Sequence, residues 1–204
     1  RAFDEIDGHP DIRAAVLVSG KPGSFIVGAD VNMINALVSY DDTVAMIKRG
    51  HAALARVRKA TKPVVAAIDG PALGGGFEVA LACQGRVCSD NPKTVMGLPE
   101  VKLGVLPALS GLQMFAEIVG LQVALDHGLT GKNLRPKKAR QLGVVDDVVP
   151  QPILLEVAAA LALSLAKRET VRRGGFELDA QHLTELALEK NPIGRSLLFK
   201  KARD

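Results

Sequence analysis

The run Pro63 to Glu78, PVVAAIDGPALGGGFE, restricts the folds open to this chain more than any other stretch. Val64 to Ile68 is apolar without a break. A strand with one wet face would alternate polar residues, so this one is expected to be covered on both faces, as in a parallel sheet flanked by helices. Asp69-Gly70-Pro71 stops it, because Pro cannot continue a ladder and Asp-Gly favours a turn. Gly74-Gly75-Gly76 then stand directly before a helical segment, Phe77 to Cys83. Glycine inside a helix costs about 1 kcal/mol relative to alanine. Just ahead of a helix it instead lets a ligand approach bare N–H groups at the positive end of the helix dipole. Glu78 brings a carboxylate to the same place, which is the layout of an oxyanion site. The glycines also suit a flexible loop or a tight helix–sheet contact, and these readings stay open on the residues alone.

Several function classes drop out. The G-x-G-x-x-G spacing of a dinucleotide site is absent, and in Ala15 to Pro22 a proline occupies the place of the magnesium-binding Ser/Thr of a phosphate loop. Aromatic residues make up only 3% of the chain, too few for base-stacking platforms, and no groove-reading motif is present. The net charge of +4 is mild, and its basic clusters (Arg58 to Lys62, Lys132 to Lys138, Lys167-Arg168, Arg172-Arg173) read as solvated helix ends or as contacts to substrate phosphates. Cys83 and Cys88 read as packed core thiols, with no partner set at metal-ligand spacing, so no metal is expected. His9, His51, His127 and His182 lie outside the motifs and read as surface or core histidines. There is no apolar run long enough to span a bilayer and no signal peptide, so a soluble, cytoplasmic protein is expected.

In chain order, Arg1 to Ile6 reads as the end of a helix and Ala14 to Ser19 as a buried strand closed by Gly20 to Gly23. A short helix is expected over Val31 to Leu37. A long one follows to about Val57, capped by Asp41 or Asp42, with Val44, Ile47, Leu54 and Val57 on one stripe. Arg86 to Ser89 and Thr94 to Gly97 read as short strands. Helices are expected near Gly111 to Val119, Leu121 to Leu129 and Pro136 to Leu142, then a strand over Val144 to Val149. Further helices are expected at Ile153 to Ala166, Ala180 to Lys190 and Ile193 to Lys201. Strand–helix alternation gives an α/β fold class. The expected division is a catalytic core over 1–150 and a C-terminal helical region over 151–204. No internal repeat is visible in the sequence.

Three motifs carry a family resemblance. Val65-Ala66-Ala67-Ile68-Asp69-Gly70 through Gly74-Gly75-Gly76-Phe77-Glu78, then Gly97-Leu98-Pro99-Glu100-Val101-Lys102-Leu103-Gly104, and the earlier Phe25-Ile26-Val27-Gly28-Ala29-Asp30-Val31, resemble the enoyl-CoA hydratase/isomerase (crotonase) family. Cys83 to Glu100 is similar, more narrowly, to α subunits of bacterial fatty-acid oxidation complexes of the anaerobic type. Asn191 to Lys200 resembles the linker before their dehydrogenase half. Family members begin some tens of residues earlier, so the chain is expected to be a fragment or trimmed piece lacking the first strands.

The resemblance implies a crotonase-like spiral of ββα units with a C-terminal helical region. It implies hydration of 2-enoyl-CoA thioesters in fatty-acid β-oxidation, with Δ3-Δ2-enoyl-CoA isomerisation as a second activity. No separate cofactor is implied, since coenzyme A belongs to the acyl-CoA substrate. Glu78 and Glu100 match the catalytic carboxylates, and the backbone N–H groups of Ala29 and Gly75 match the oxyanion donors. Gly28, Asp30, Gly74, Gly76, Pro99 and Ala108 match substrate-binding positions. Two neighbouring carboxyls are expected to titrate jointly, one of them raised. A thiolase β subunit and a second copy of the chain are the implied partners. After Leu106-Pro107 the family continues Gly-x-Gly-Gly-Thr-Gln-Arg, whereas this chain has Ala108-Leu109-Ser110-Gly111-Leu112-Gln113-Met114. The Ala108 amide is expected to hold the catalytic water, and Leu109 and Leu112 to reshape the acyl pocket. The competing reading is a non-catalytic scaffold fragment that docks the thiolase subunit.

Overall fold

One local plan recurs along the chain: two strands placed in different sheets, then a helix. The computed structural model describes residues 2–28, 30 and 38–167. Helix α1 (Ala2–Gly8) precedes β1 (Ala15–Val18), β2 (Ile26–Val27) and α2 (Tyr40–Arg58). The second unit is β3 (Val64–Ile68), β4 (Pro71–Leu73) and α3 (Gly75–Ala82). The third is β5 (Gly85–Ser89), β6 (Val95–Gly97), a 3-10 turn at Glu100–Leu103, and α4 (Gly111–Val119). Then come α5 (Leu121–Thr130), α6 (Pro136–Gln141), β7 (Asp147–Val149) and α7 (Leu154–Ala166).

First strands and second strands collect into separate parallel sheets. One sheet runs β1-β3-β5-β7 and the other β2-β4-β6. Each unit therefore advances both sheets by one strand, which is the spiral. In the first sheet Val65 lies opposite Gly85, and in the second Ala72 lies opposite Met96.

Strand β3 is buried at all five positions because its two faces enter two cores. Val64, Ala66 and Ile68 point into the main core with Phe77, Met96 and Phe115. Val65 and Ala67 point the other way, onto Leu154, Ala158 and Ala162 of α7. Alternation is thus present in direction and hidden in composition. Arg86 is buried yet well supplied with acceptors: its guanidinium donates to the carbonyls of Val144 at 2.6 Å and Cys83 at 2.7 Å, and more weakly to Ala80 and Leu81. A cation at those last carbonyls of α3 also complements the negative end of its dipole.

Several expectations need correction. Strand β1 is half-buried, with Val18 50% exposed, because it lies at the edge of its sheet and pairs only with β3 among the described residues. The cap of α2 is Ser39, whose Oγ accepts from the Asp42 amide at 3.1 Å and donates to the Asp42 carboxylate at 2.7 Å. Asp41 and Asp42 sit in the first turn instead. Strands β2 and β4 have no counterpart in the sequence reading; β4 begins on Pro71, a strand start being one of the few sheet positions where its missing N–H is tolerated. Strand β7 is shorter than the expected Val144 to Val149. Val31 to Leu37, Ala180 to Lys190, Ile193 to Lys201 and the linker-like Asn191 to Lys200 lie outside the described residues.

Helix α3 begins at Gly75, so the second and third glycines form its first turn. Gly76 packs against β2, where a Cβ would collide with the Ile26 carbonyl and lie 2.7 Å from Ile26 Cβ. Backbone atoms cannot step aside as a flexible side chain can. Gly76→Ala is therefore expected to destabilise the chain by about 1–3 kcal/mol, the usual range for forced overpacking. Chemical denaturation followed by circular dichroism measures it.

Candidate active site

Glu78 stands in the first turn of α3, where a carboxylate is favoured by the helix dipole, yet it is only 2% exposed. A carboxylate this deep needs donors. Its Oε1 accepts from the Leu109 amide at 2.9 Å and from the Gly111 amide at 2.8 Å. Burial pushes its acidity towards a higher pKa than usual, and the Gly111 and Leu109 amides and the charge of His51 offset part of that push.

The loop supplying those amides is shaped for the task. Ser110, between them, has φ +71°, the only left-handed non-glycine among the described residues. That conformation costs roughly 1–2 kcal/mol for a residue with a Cβ, and it stands where the resembled loop has glycine. It turns two nearby N–H groups towards one oxygen. Gly111 completes the seat: a Cβ there would lie 2.5 Å from Glu78 Cγ and 2.7 Å from Oε1.

Glu100 opens the 3-10 turn after Pro99 and is half-buried. A Cβ on Gly74 would lie 3.0 Å from Glu100 Oε1 and 3.8 Å from Gly28 Cα. Gly74, with φ +54°, and Gly28, with φ +93°, both have backbone that disfavours a side chain, so the three motifs converge on bare main chain. Glu100 Oε2 is buried and has no hydrogen-bond partner among the described residues. Burial again raises the pKa; the Glu100 backbone amide lowers it, and the charge of Glu78 raises it further. Both carboxyls are thus shifted up, and the pair is electrostatically linked.

The other expected site residues are placed unevenly. Gly75 is the first residue of α3, so its N–H has no intrahelical acceptor and faces out from the helix start. Gly76 presses on β2, as described above. Asp30 is exposed, and Ala29 lies outside the described residues. Ala108 is exposed, and it is the amides of Leu109 and Gly111 that reach the carboxylate. Leu109 and Leu112 pack into the protein: a Cβ on Gly50 of α2 would fall on Leu109 Cδ2, and one on Gly128 of α5 would lie 2.7 Å from Leu112 Cδ1. Their bulk is absorbed by helix packing. His51 was missed by motif reading, although its Nδ1 lies 3.2 Å from Ser110 Oγ.

Cys83 and Cys88 are buried as expected, and burial pushes each thiol up to about 12. A cavity of about 360 Å³ lies at the other end of α3, lined by Arg58, Cys83, Gln84, Arg86 and Glu117, and includes neither Glu78 nor Glu100. The site is thus defined by converging charge and bare backbone. No helix among the described residues is long and apolar enough to cross a membrane.

The raised Glu78 pKa has a stability consequence. Below about pH 4.5, the ordinary value, the carboxyl is protonated in folded and unfolded chains alike. Above the folded value the native state carries a buried anion that the unfolded chain ionises more readily, so stability falls as pH rises through that value. Glu78→Gln keeps an acceptor for both amides and removes the charge. It is expected to raise Tm at pH 8, by about 2–4 °C per kcal/mol relieved, with the gain vanishing as pH falls to about 4.5. Thermal melts across pH measure it.

Comparison with known proteins gives the family of the chain. The sequence pattern of the enoyl-CoA hydratase/isomerase family matches residues 1–200. The fatty acid oxidation complex subunit alpha of Shewanella amazonensis is 44% identical over 200 residues, which cover 98% of this chain and 27% of that protein. The corresponding subunit of Idiomarina loihiensis is 44% identical over 202 residues, 99% of this chain and 28% of its own length. The chain thus spans little more than a quarter of these relatives. Among solved structures, an enoyl-CoA hydratase from Geobacillus kaustophilus superposes with a TM-score of 0.76 at 28% identity, covering 99% of this chain and 74% of that one. The human mitochondrial delta3-delta2-enoyl-CoA isomerase, at 24% identity and a TM-score of 0.74, covers 98% of this chain and 73% of that one and shares the fold. With its two-sheet spiral, its paired glutamates and a match along nearly its whole length, the chain belongs to the enoyl-CoA hydratase/isomerase family.

Proposed function

We propose that the chain is a 2-enoyl-CoA hydratase acting in fatty-acid β-oxidation, with Δ3-Δ2-enoyl-CoA isomerisation as a second activity of the same site. The observation that carries this reading is the meeting of Glu100 with Gly74, at the start of the helix that holds Glu78. The thioester carbonyl oxygen would rest between the N–H groups of Ala29 and Gly75. Water adds its hydroxyl to the β-carbon, the carbonyl oxygen carries the resulting negative charge as an enolate, and a proton then goes to the α-carbon. Preorganised donors strengthen as that charge grows, each contributing about 2.7–4 kcal/mol.

The two acids suit different tasks. Glu78, gripped by two amides, is fitted to hold the water and take its proton. Glu100, with one oxygen unpartnered among the described residues and its pKa raised, is fitted to carry the proton to and from the α-carbon. The same proton carrier would serve isomerisation, in which no water is added. Through the likeness to subunits of fatty acid oxidation complexes, we further propose a cytoplasmic setting and a thiolase subunit as partner.

Hydration of crotonyl-CoA, followed by loss of enone absorbance, tests the reading. Glu100→Gln is expected to lower kcat by about 10²–10⁴-fold with little change in KM. An unchanged kcat in that variant overturns the assignment.

A further inference from the structure

The loop that seats Glu78 is itself held from outside the motifs. Two adjacent residues of α2 meet two adjacent residues of the loop: Gly50 receives the Leu109 side chain, and His51 meets the Ser110 hydroxyl. The loop residues so gripped are those whose geometry sets the Leu109 and Gly111 amides on Glu78 Oε1. We propose that His51 is a positioning residue for Glu78, acting through Ser110 to keep the loop amides aimed at the carboxylate.

The chemistry of the pair fits a permanent latch. A serine hydroxyl both donates and accepts, so Nδ1 can accept from it when the imidazole is neutral and donate to it when charged. The contact therefore does not depend on which of the two partners donates. Ser110 needs such a hold because its backbone lies where side-chain-bearing residues are disfavoured, so the loop has an incentive to relax and turn its amides away. His51 is also near enough for its charge to favour the ionised form of Glu78. Serine stands here where the resembled loop carries glycine.

The inference rests on the hydratase reading for its kinetic arm and on geometry alone for its spectroscopic arm. His51→Leu places an apolar branch where Nδ1 was, and His51→Asn restores a polar atom at that point. Leucine is the better helix former, so a defect confined to His51→Leu cannot arise from weakening α2. In the intact chain, His51→Leu is expected to lower kcat for crotonyl-CoA hydration about 10-fold with KM within about twofold, and His51→Asn to recover most of it. The backbone amide resonances of Leu109 and Gly111, followed by selective 15N labelling, are expected to move in His51→Leu and return in His51→Asn. If those resonances stay put in His51→Leu, or if His51→Asn fails to restore them, the proposal is overturned, whatever the kinetics. It is equally overturned if the resonances move while kcat in His51→Leu stays within about twofold of the parent. A parent chain that hydrates nothing sinks the hydratase reading instead, and the amide resonances then decide the role of His51 alone.

Discussion

A carboxylate shut inside a protein survives only if something replaces the water it has lost. Here that replacement is two main-chain N–H groups, from Leu109 and Gly111, directed at one oxygen of Glu78. Much of the local architecture follows from the need to present them together. Ser110 adopts a left-handed backbone so that the amides on either side converge, and position 111 carries no side chain because one would occupy the space of Glu78. Leu109 and Leu112, which look from the sequence like pocket-filling bulk, pack instead on Gly50 and Gly128 and so clamp the loop between α2 and α5. An unpaired buried charge would cost several kcal/mol, so these features belong to one requirement.

Helix α3 has to arrive at that seat in a fixed register. At its start, Gly76 lets the helix press onto β2; at its end, the Arg86 guanidinium gathers the carbonyls of Ala80, Leu81 and Cys83 and ties them to Val144. Between these points Phe77 meets Phe115 of α4 edge to face, with ring centroids 5.7 Å apart. The helix that carries one acid is thereby joined to the helix that follows the loop seating it.

The sequence discloses the parts whose signal is local. Val64 to Ile68 could only be a strand covered twice, and Leu154–Ala166 of α7 is close to the expected helix. Strands of two and three residues, β2 and β4, are too short to show a period. The cap of α2 falls not on the expected Asp41 or Asp42 but on Ser39, whose hydroxyl can both accept from the Asp42 amide and donate to its carboxylate. The repeated ββα plan is absent from the residue pattern because sheet membership is a matter of direction in space. The meeting of His51 with Ser110 is invisible for a related reason: nothing in either residue's neighbourhood requires the other.

Motif resemblance could name Glu78 and Glu100 as a pair, but it could not say how their surroundings differ. Both are raised by burial, so composition and depth treat them alike. The difference lies in what reaches them. Two amides stabilise the anion on Glu78, and a neighbouring negative charge discourages the anion on Glu100. Placing the donors on one acid therefore makes the surroundings of the two unequal, although burial raises both. The division of labour proposed for them, a water-holding base and a proton-carrying acid, would then require no difference in residue type. Two glutamates suffice, provided that one loop turns its N–H groups towards only one of them.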